Sequence, residues 1–187
     1  MANFGKVVVF VVLLSNAVAE ISRPSQLSCD FSDDFCDWRN VVAIDQQDWF
    51  REERVASDPF NSIPRGVNGL GDVFAYVRGG QGLQEAWLAS DAIPCQRSQG
   101  MVAFALWKSS ISPSLEVCIR QPPNAAGTLS CIARFDGHVA TEWVARFVIT
   151  PPNPKPFQIV FRATFFNPFD IIAIDKVVYE AAQLCSS

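Results

Sequence analysis

The stretch Phe157-Gln-Ile-Val-Phe-Arg-Ala-Thr-Phe165 decides the fold, because apolar and polar side chains alternate along it with a period of two. Successive side chains of a β-strand point to opposite faces of the sheet, so this alternation predicts a strand. One face carries Phe157, Ile159, Phe161, Ala163 and Phe165, and the other carries Gln158, Arg162 and Thr164.

The same signal recurs along the chain. In Trp143 to Thr150, one face carries Trp143, Ala145, Phe147 and Ile149, and the other carries Arg146 and Thr150. Further predicted strands are Val73 to Arg78, Met101 to Lys108, Leu115 to Arg120, Leu129 to Phe135 and Ile171 to Tyr179. The nearly all-apolar Met101 to Trp107 is typical of a central strand covered on both faces. Leu83 to Leu88 predicts one helical turn at most, with Trp87 in the core.

Turn-forming residues separate these segments. Ala56 to Asp72 is a long loop rich in proline and glycine, Pro122 to Gly127 is a predicted hairpin tip, and Pro151 to Pro156 is a predicted stiff, extended connector. Many short strands joined by such turns predict an all-β sandwich or barrel. The 187 residues contain no internal repeat and no domain boundary.

The N-terminus has the pattern of a secretory signal peptide. Lys6 precedes the apolar run Val7 to Leu14, and Ala17-Val18-Ala19 is a small-x-small cleavage site. We therefore expect residues 1–19 to be removed after Ala19, and residues 20–28 to form a short lead-in to the domain. No later apolar run is long enough to span a bilayer, so we expect a secreted, extracellular protein without membrane insertion.

The charge balance bears on the class of partner. The formal net charge is −4, with no basic block along the sequence. A mildly acidic chain of this kind is not expected to bind nucleic acid or an anionic membrane surface.

Six cysteines lie in the predicted mature chain: Cys29, Cys36, Cys95, Cys118, Cys131 and Cys185. An even number in a secreted chain predicts disulfides, although six cysteines allow 15 pairings. A zinc site needs close cysteine or histidine pairs. The chain has no C-x-x-C motif and one histidine, so disulfides are favoured.

A series of motifs in a fixed order resembles the MAM domain, the adhesion module of meprins, neuropilins and certain receptor tyrosine phosphatases. The series opens with Cys29-Asp-Phe31 and Cys36-Asp-Trp38. It continues through Asp48-Trp49, residues 71–77, residues 86–90, Cys95 with Met101 to Trp107, Trp143, residues 157–161 and residues 172–175. The similarity covers residues 29–185, nearly the whole predicted mature chain.

The resemblance implies a jelly-roll β-sandwich of two antiparallel sheets, with Trp38 in the core. It also implies three disulfides: Cys29–Cys36, Cys95–Cys185 and Cys118–Cys131. Some family members bind a cation near acidic positions, and Asp33, Asp48 and Asp175 are the residues here that could hold one, with Ca²⁺ the expected ion. Ser32 and Lys176 stand where the family usually has acidic residues, and the alternative is that these aspartates are solvated or hydrogen-bonded at strand ends.

The sequence offers little to support catalysis. His138 is the only histidine and follows the turn signal Asp136-Gly137, so we expect it at a surface hairpin rather than in a catalytic triad. The chain has no G-x-S-x-G, phosphate-loop or H-E-x-x-H motif. We predict a non-catalytic module, with no required cofactor, that binds an extracellular or cell-surface protein, or its own copy, through its loops. The alternative is a calcium-assisted, carbohydrate-binding jelly roll.

Overall fold

A computed structural model describes residues 18–53, 67, 72–124, 126–137 and 142–185. These ranges contain one turn of 3₁₀ helix, Pro24–Leu27, followed by ten strands. The strands are β1 (Trp38–Asn40), β2 (Phe50–Glu52), β3 (Phe74–Arg78), β4 (Gln84–Ser90), β5 (Gly100–Lys108), β6 (Ser114–Gln121), β7 (Thr128–Phe135), β8 (Val144–Thr150), β9 (Gln158–Phe165) and β10 (Ile171–Ala181).

The strands form two five-stranded sheets. The first sheet has the order β1-β4-β9-β6-β7, and the second has the order β2-β3-β10-β5-β8. All neighbouring strands in both sheets run antiparallel. The expected all-β jelly-roll sandwich is confirmed. No helix within the described ranges is long and apolar enough to cross a membrane.

All seven strands predicted from the sequence are present, but one helical expectation is wrong. Instead of a turn at Leu83 to Leu88, the chain forms β4, which pairs with β1 on one side and β9 on the other. Ala86 and Leu88 face the core from this strand, whereas Trp87 lies half-buried on the outer face. The order Leu83-Gln-Glu-Ala-Trp-Leu88 does not alternate with a period of two, so strand pairing rather than a local pattern decides its conformation.

The core lies between the inner faces of the two sheets, and large aromatic side chains fill it. The Phe161 ring of the first sheet lies 5.0 Å from the Phe104 ring of the second and 5.1 Å from the Trp38 ring, between ring centroids. Trp38 is buried, as predicted, and its indole N–H donates to the Leu27 carbonyl over 3.0 Å. This bond satisfies the one polar atom of a side chain that otherwise contributes apolar area.

Three disulfides join the pairs that the family resemblance implies: Cys29–Cys36, Cys95–Cys185 and Cys118–Cys131. Cys118 and Cys131 are direct partners in the β6–β7 hairpin, whose tip is the predicted Pro122 to Gly127 turn. Cys29 exchanges two backbone hydrogen bonds of 2.8 Å with Val177 of β10. The small ring at the start of the domain is therefore anchored on the second sheet.

The segment Pro151 to Pro156 joins β8 to β9 at the end of the sandwich. The sequence predicts a stiff, extended connector here, and in addition Asn153 exchanges two backbone hydrogen bonds of 2.8 Å with Gln96. The Gln96 side chain also donates to the Thr150 and Pro151 carbonyls, each over 3.1 Å. These contacts, rather than proline stiffness alone, fix where β8 ends.

Candidate functional site

The three aspartates of the predicted cation site lie in different surroundings. Asp33 is exposed in the ring closed by Cys29–Cys36, Asp48 is exposed just before β2, and Asp175 is buried within β10. Among the described residues, no group of three or more histidine, cysteine, aspartate or glutamate side chains is arranged to hold a metal ion. The cation site stays a prediction.

Asp175 sits at an irregularity of β10. The pairing of β10 with β5 shifts between Asp175 and Val178, and Lys176 adopts a left-handed backbone with φ of 51°. One carboxylate oxygen of Asp175 accepts from the Lys176 backbone N–H over 2.6 Å, and the other, Oδ2, has no hydrogen-bond partner among the described residues. Burial raises the pKa of Asp175 to about 6, and the nearby charge of Asp72 acts in the same direction.

Lys176 supplies positive charge beside these acidic groups. Its Nζ lies 3.5 Å from an oxygen of Asp72. The pKa of Asp30 is lowered, mainly by the backbone N–H of Ser32 and also by the Lys176 charge. A fixed ammonium group therefore offsets part of the acidic charge that a cation would otherwise balance.

Two other expectations fall outside the described residues. His138 lies there, and so does the loop Ala56 to Asp72 apart from Val67 and Asp72. Their predicted roles stay predictions, and the candidate binding surfaces below are built from the two sheets.

The first candidate surface is the outer face of the second sheet. The predicted alternation of β8 is correct, but its mainly apolar face points to solvent, while Val148 and Thr150 face inward. Phe147 is 66 % exposed and Ile149 is 56 % exposed. Two large apolar side chains this exposed to water are rarely neighbours on a protein surface. Exposed apolar patches of this kind mark interaction sites.

Cross-strand pairing extends this surface over three strands. Phe147 lies opposite Ala103, which lies opposite Val178 of β10, and these residues form one row. A second row consists of Ile149, Met101 and Glu180. Residues directly opposite each other share a face of the sheet. We call these six residues the β8 patch.

A groove adjoins the β8 patch. It has a volume of about 670 Å³ and is lined by Met101, Ile149, Pro24, Ala181 and Ala182, among others. At the opposite end of the same face, Phe74 and Trp107 are buried in an aromatic cluster. The Phe74 ring lies edge-on to Trp143, with 5.5 Å between centroids. The exposed apolar area is thus concentrated at the β8 end.

The second candidate surface is the outer face of the first sheet, most of whose charges are paired. Arg162 of β9 donates to Glu116 of β6 over 2.6 and 2.9 Å, and Arg134 lies 3.8 Å from the same carboxylate. Arg39 and Asp91 form a second ion pair of 3.1 Å.

Beside the Arg39–Asp91 pair lies a cleft of about 470 Å³, which we call the Arg120 cleft. Arg120 of β6 and Gln158 of β9 line it, and they face each other across the two paired strands. Val41, Val42 and Ile44 form its apolar wall. No motif in the sequence marks this cleft. Arg120 and Gln158 appear in the sequence only as polar ends of strands, and their proximity depends on the β6–β9 register.

Comparison with solved structures places the fold among bacterial adhesin and carbohydrate-binding domains. The K1 cleaved adhesin domain of Lys-gingipain from Porphyromonas gingivalis W83 matches with a TM-score of 0.57 and 14 % identity, over 84 % of this chain and 98 % of that one. The C-terminal family 22 carbohydrate-binding module of Clostridium thermocellum Xyn10B matches with a TM-score of 0.53 and 12 % identity, over 89 % and 99 %. At these identities the likeness concerns the fold.

The family is shown by the sequence. The model of the MAM domain, described as meprin/A5/mu, matches residues 29–185. The match begins at the first cysteine and ends at the last one, so it includes both sheets and all three disulfides. The chain therefore belongs to the MAM domain family, a family of extracellular adhesion-type modules.

Proposed function

We propose that this protein is a secreted, non-catalytic module that binds another extracellular protein through the β8 patch. The family supports an extracellular, adhesion-type role. The observation that carries the proposal is the pair of exposed side chains Phe147 and Ile149 on an edge strand. Release after cleavage at Ala19 is part of this proposal.

The edge position of β8 favours a partner that adds an extended segment. Edge strands that are not meant to pair are commonly protected by proline, lysine or a bulge. β8 has neither residue type, and its pairing with β5 shows no register shift. A partner strand could hydrogen-bond along this edge and place its own apolar side chains against Phe147 and Ile149.

The composition of the β8 patch agrees with a protein partner. Met and aromatic side chains are enriched at the centre of protein interfaces, whereas charged residues are depleted there. The patch contains Phe147, Ile149 and Met101, with Glu180 as its one charged residue. A second copy of the chain fits the same chemistry and is the simplest partner to test first.

Photo-cross-linking tests the proposal. Benzoylphenylalanine is placed at position 147 in one chain and, as a control, at Ile111, which is 62 % exposed in the β5–β6 connection. Each chain is irradiated alone and on the surface of cells from the same organism. We expect a discrete protein adduct from position 147 only, because that side chain lies inside the proposed interface.

A competition experiment distinguishes binding at a specific interface from non-specific adsorption. Unlabelled wild-type chain should suppress the adduct, whereas Phe147→Asp should not, and Ile111→Asp should compete like wild type. The Phe147→Asp change is expected to leave the fold intact because the side chain is largely exposed. Equal competition by wild type and Phe147→Asp would refute the β8 patch as the docking surface.

A further inference from the structure

The inner side of β8 carries a positive charge at the open edge of the second sheet. Arg146 is half-buried and lies opposite Phe104 of β5, on the side that faces the first sheet. Its guanidinium carbon lies 5.6 Å from the centroid of the Phe135 ring, and that ring packs edge-on against Phe104 with 5.7 Å between centroids. Contact with an aromatic ring therefore holds the guanidinium at the margin of the core.

No acidic side chain in the described part of the protein forms an ion pair with Arg146. Nε is enclosed and has no hydrogen-bond partner there, whereas the two terminal nitrogens are not enclosed, so a carboxylate can reach them. Burial lowers the pKa of Lys108; the charges of Asp136 and Asp170 oppose this shift, and those of Arg134 and Arg146 add to it. A carboxylate from outside the chain would pair with Arg146 and relieve its repulsion of Lys108.

A strand added to β8 would place one of its side chains directly opposite Arg146. Within the described ranges β8 pairs with β5 alone, so its other edge is open. Side chains directly opposite each other in an antiparallel pair share a face, with Cβ atoms about 4.5–5.5 Å apart. An aspartate or glutamate opposite Arg146 would therefore reach its guanidinium. The residues on either side of that acid would point to the other face, toward the β8 patch.

We propose that the partner segment docked at β8 carries an acidic residue opposite Arg146 and apolar residues opposite Phe147 and Ile149. This inference rests on the proposed function and names the chemistry of its partner. Neighbouring strands in both sheets are all antiparallel, and the added strand continues that arrangement. In an antiparallel strand the two apolar residues come one and three positions before the acidic one.

The charge of Arg146 disfavours a second β8 strand as the docked segment. β8 reads Val144-Ala-Arg-Phe-Val-Ile-Thr150 and contains no acidic residue. Two paired β8 strands would leave both copies of Arg146 without a carboxylate. Opposite charges directly across a strand pair stabilise it, whereas like charges destabilise it. Charge complementarity therefore favours a different segment, in which apolar residues alternate ahead of an acid.

Selection from a displayed library of random peptides tests which residues this edge prefers. The library is selected on the immobilised mature chain, after depletion on Phe147→Asp to remove peptides that bind elsewhere. We expect enrichment of aspartate or glutamate preceded, at one and three positions, by large apolar residues. Enrichment of alternating apolar residues without an acidic preference would overturn this inference and leave the β8 patch as the docking surface. If no peptide depends on Phe147, strand addition at β8 is refuted and this inference with it.

A matched pair of peptides measures the contribution of the charge. One peptide has the core Ile-Thr-Phe-Asp-Val and blocked ends, and the other has asparagine in place of the aspartate. Fluorescence anisotropy titrations of the wild-type chain should show about 3- to 10-fold tighter binding of the aspartate peptide, as expected for a partly enclosed, cross-strand ion pair. This comparison needs no protein variant, so folding defects cannot affect it. Equal affinities for the two peptides would overturn the proposal.

Two protein variants assign the effect to one side chain. Arg146→Met removes the charge and keeps an apolar stem beside Phe135, and we expect it to bind both peptides equally. Arg97→Met makes the same change at an exposed position outside β8 and should keep the wild-type preference for aspartate. A preference that persists in Arg146→Met, or that is lost equally in Arg97→Met, would mean that long-range attraction rather than contact with Arg146 selects the acid, and the proposal would fail.

Discussion

The burial of Asp175 makes the stability of the protein depend on pH. Its pKa rises from an ordinary 3.8 to about 6 on folding, mainly because burial penalises the charged form. Between about pH 4 and pH 6 the folded state holds a proton that the unfolded state has lost. The free energy of unfolding therefore falls as the pH rises through this window. Above about pH 6 the folded protein bears the full cost of the buried, charged Asp175 carboxylate. A shift of this size corresponds to at most about 3 kcal/mol.

Asp175→Asn should accordingly stabilise the protein at pH 7.5 and have little effect near pH 4. The amide keeps an acceptor for the Lys176 N–H, and its nitrogen replaces Oδ2, which has no hydrogen-bond partner within the described ranges. Urea unfolding at both pH values measures the difference, and Asp48→Asn, at an exposed position, is the control. A stability gain equal at both pH values would contradict the titration argument. A calcium-dependent rise in melting temperature, lost in Asp175→Asn, would support the predicted cation site.

Single residues also mark the limit of prediction from sequence. Trp38 could be placed in the core because it follows a recognisable cysteine motif of the family. The pairing of Arg120 with Gln158 could not be foreseen, since residues 38 positions apart meet only through the β6–β9 register. Arg120 Nε and Gln158 Oε1 lose their hydrogen bonds to water only when the protein folds. In the sequence, each residue is an ordinary polar residue of a strand.

At the scale of a secondary-structure element, β8 shows the same limit of prediction from sequence. Its alternation correctly predicts a strand with two distinct faces, yet both faces carry apolar residues. Its pairing with β5 places Val148 opposite the core residue Val102, which turns Phe147 and Ile149 outward. Arg146 remains on the inner side, with its guanidinium 5.6 Å from the Phe135 ring centroid of β7. Position at a sheet edge, rather than composition, therefore decides which face is buried.

The disulfides should differ in their contribution to stability because they close loops of different length. The sequence separations are 90 for Cys95–Cys185, 13 for Cys118–Cys131 and 7 for Cys29–Cys36. In the loop-entropy model these correspond to roughly 4.6, 3 and 2.4 kcal/mol.

Paired cysteine-to-alanine variants test this order by urea unfolding. We expect Cys95→Ala/Cys185→Ala to lose the most stability and Cys29→Ala/Cys36→Ala the least. Cys29 also holds Val177 through two backbone hydrogen bonds, which alanine can retain. A larger loss from the small ring than from Cys95–Cys185 would show that native packing around the ring, rather than chain entropy, dominates.

At the scale of the whole molecule, the sandwich separates the two candidate surfaces. The β8 patch lies on the outer face of the second sheet, whereas the Arg120 cleft lies on the outer face of the first. The core of both sheets stands between them, including Phe104 and Phe161, whose ring centroids are 5.0 Å apart. The β8 patch and the Arg120 cleft share no residue, so a ligand on one would not contact the other.

This arrangement predicts that changes on the two outer faces act independently. Phe147→Asp should abolish the position-147 competition, whereas Arg120→Met should compete like wild type. Mutations at distant sites without shared partners are usually additive, so the losses in the free energy of unfolding caused by the two changes should sum in the double variant. The measurements are the cross-linking competition and urea unfolding of all three variants. A change of more than about threefold in the competition by Arg120→Met, which is some 0.7 kcal/mol, would mean that the sheets communicate through the core.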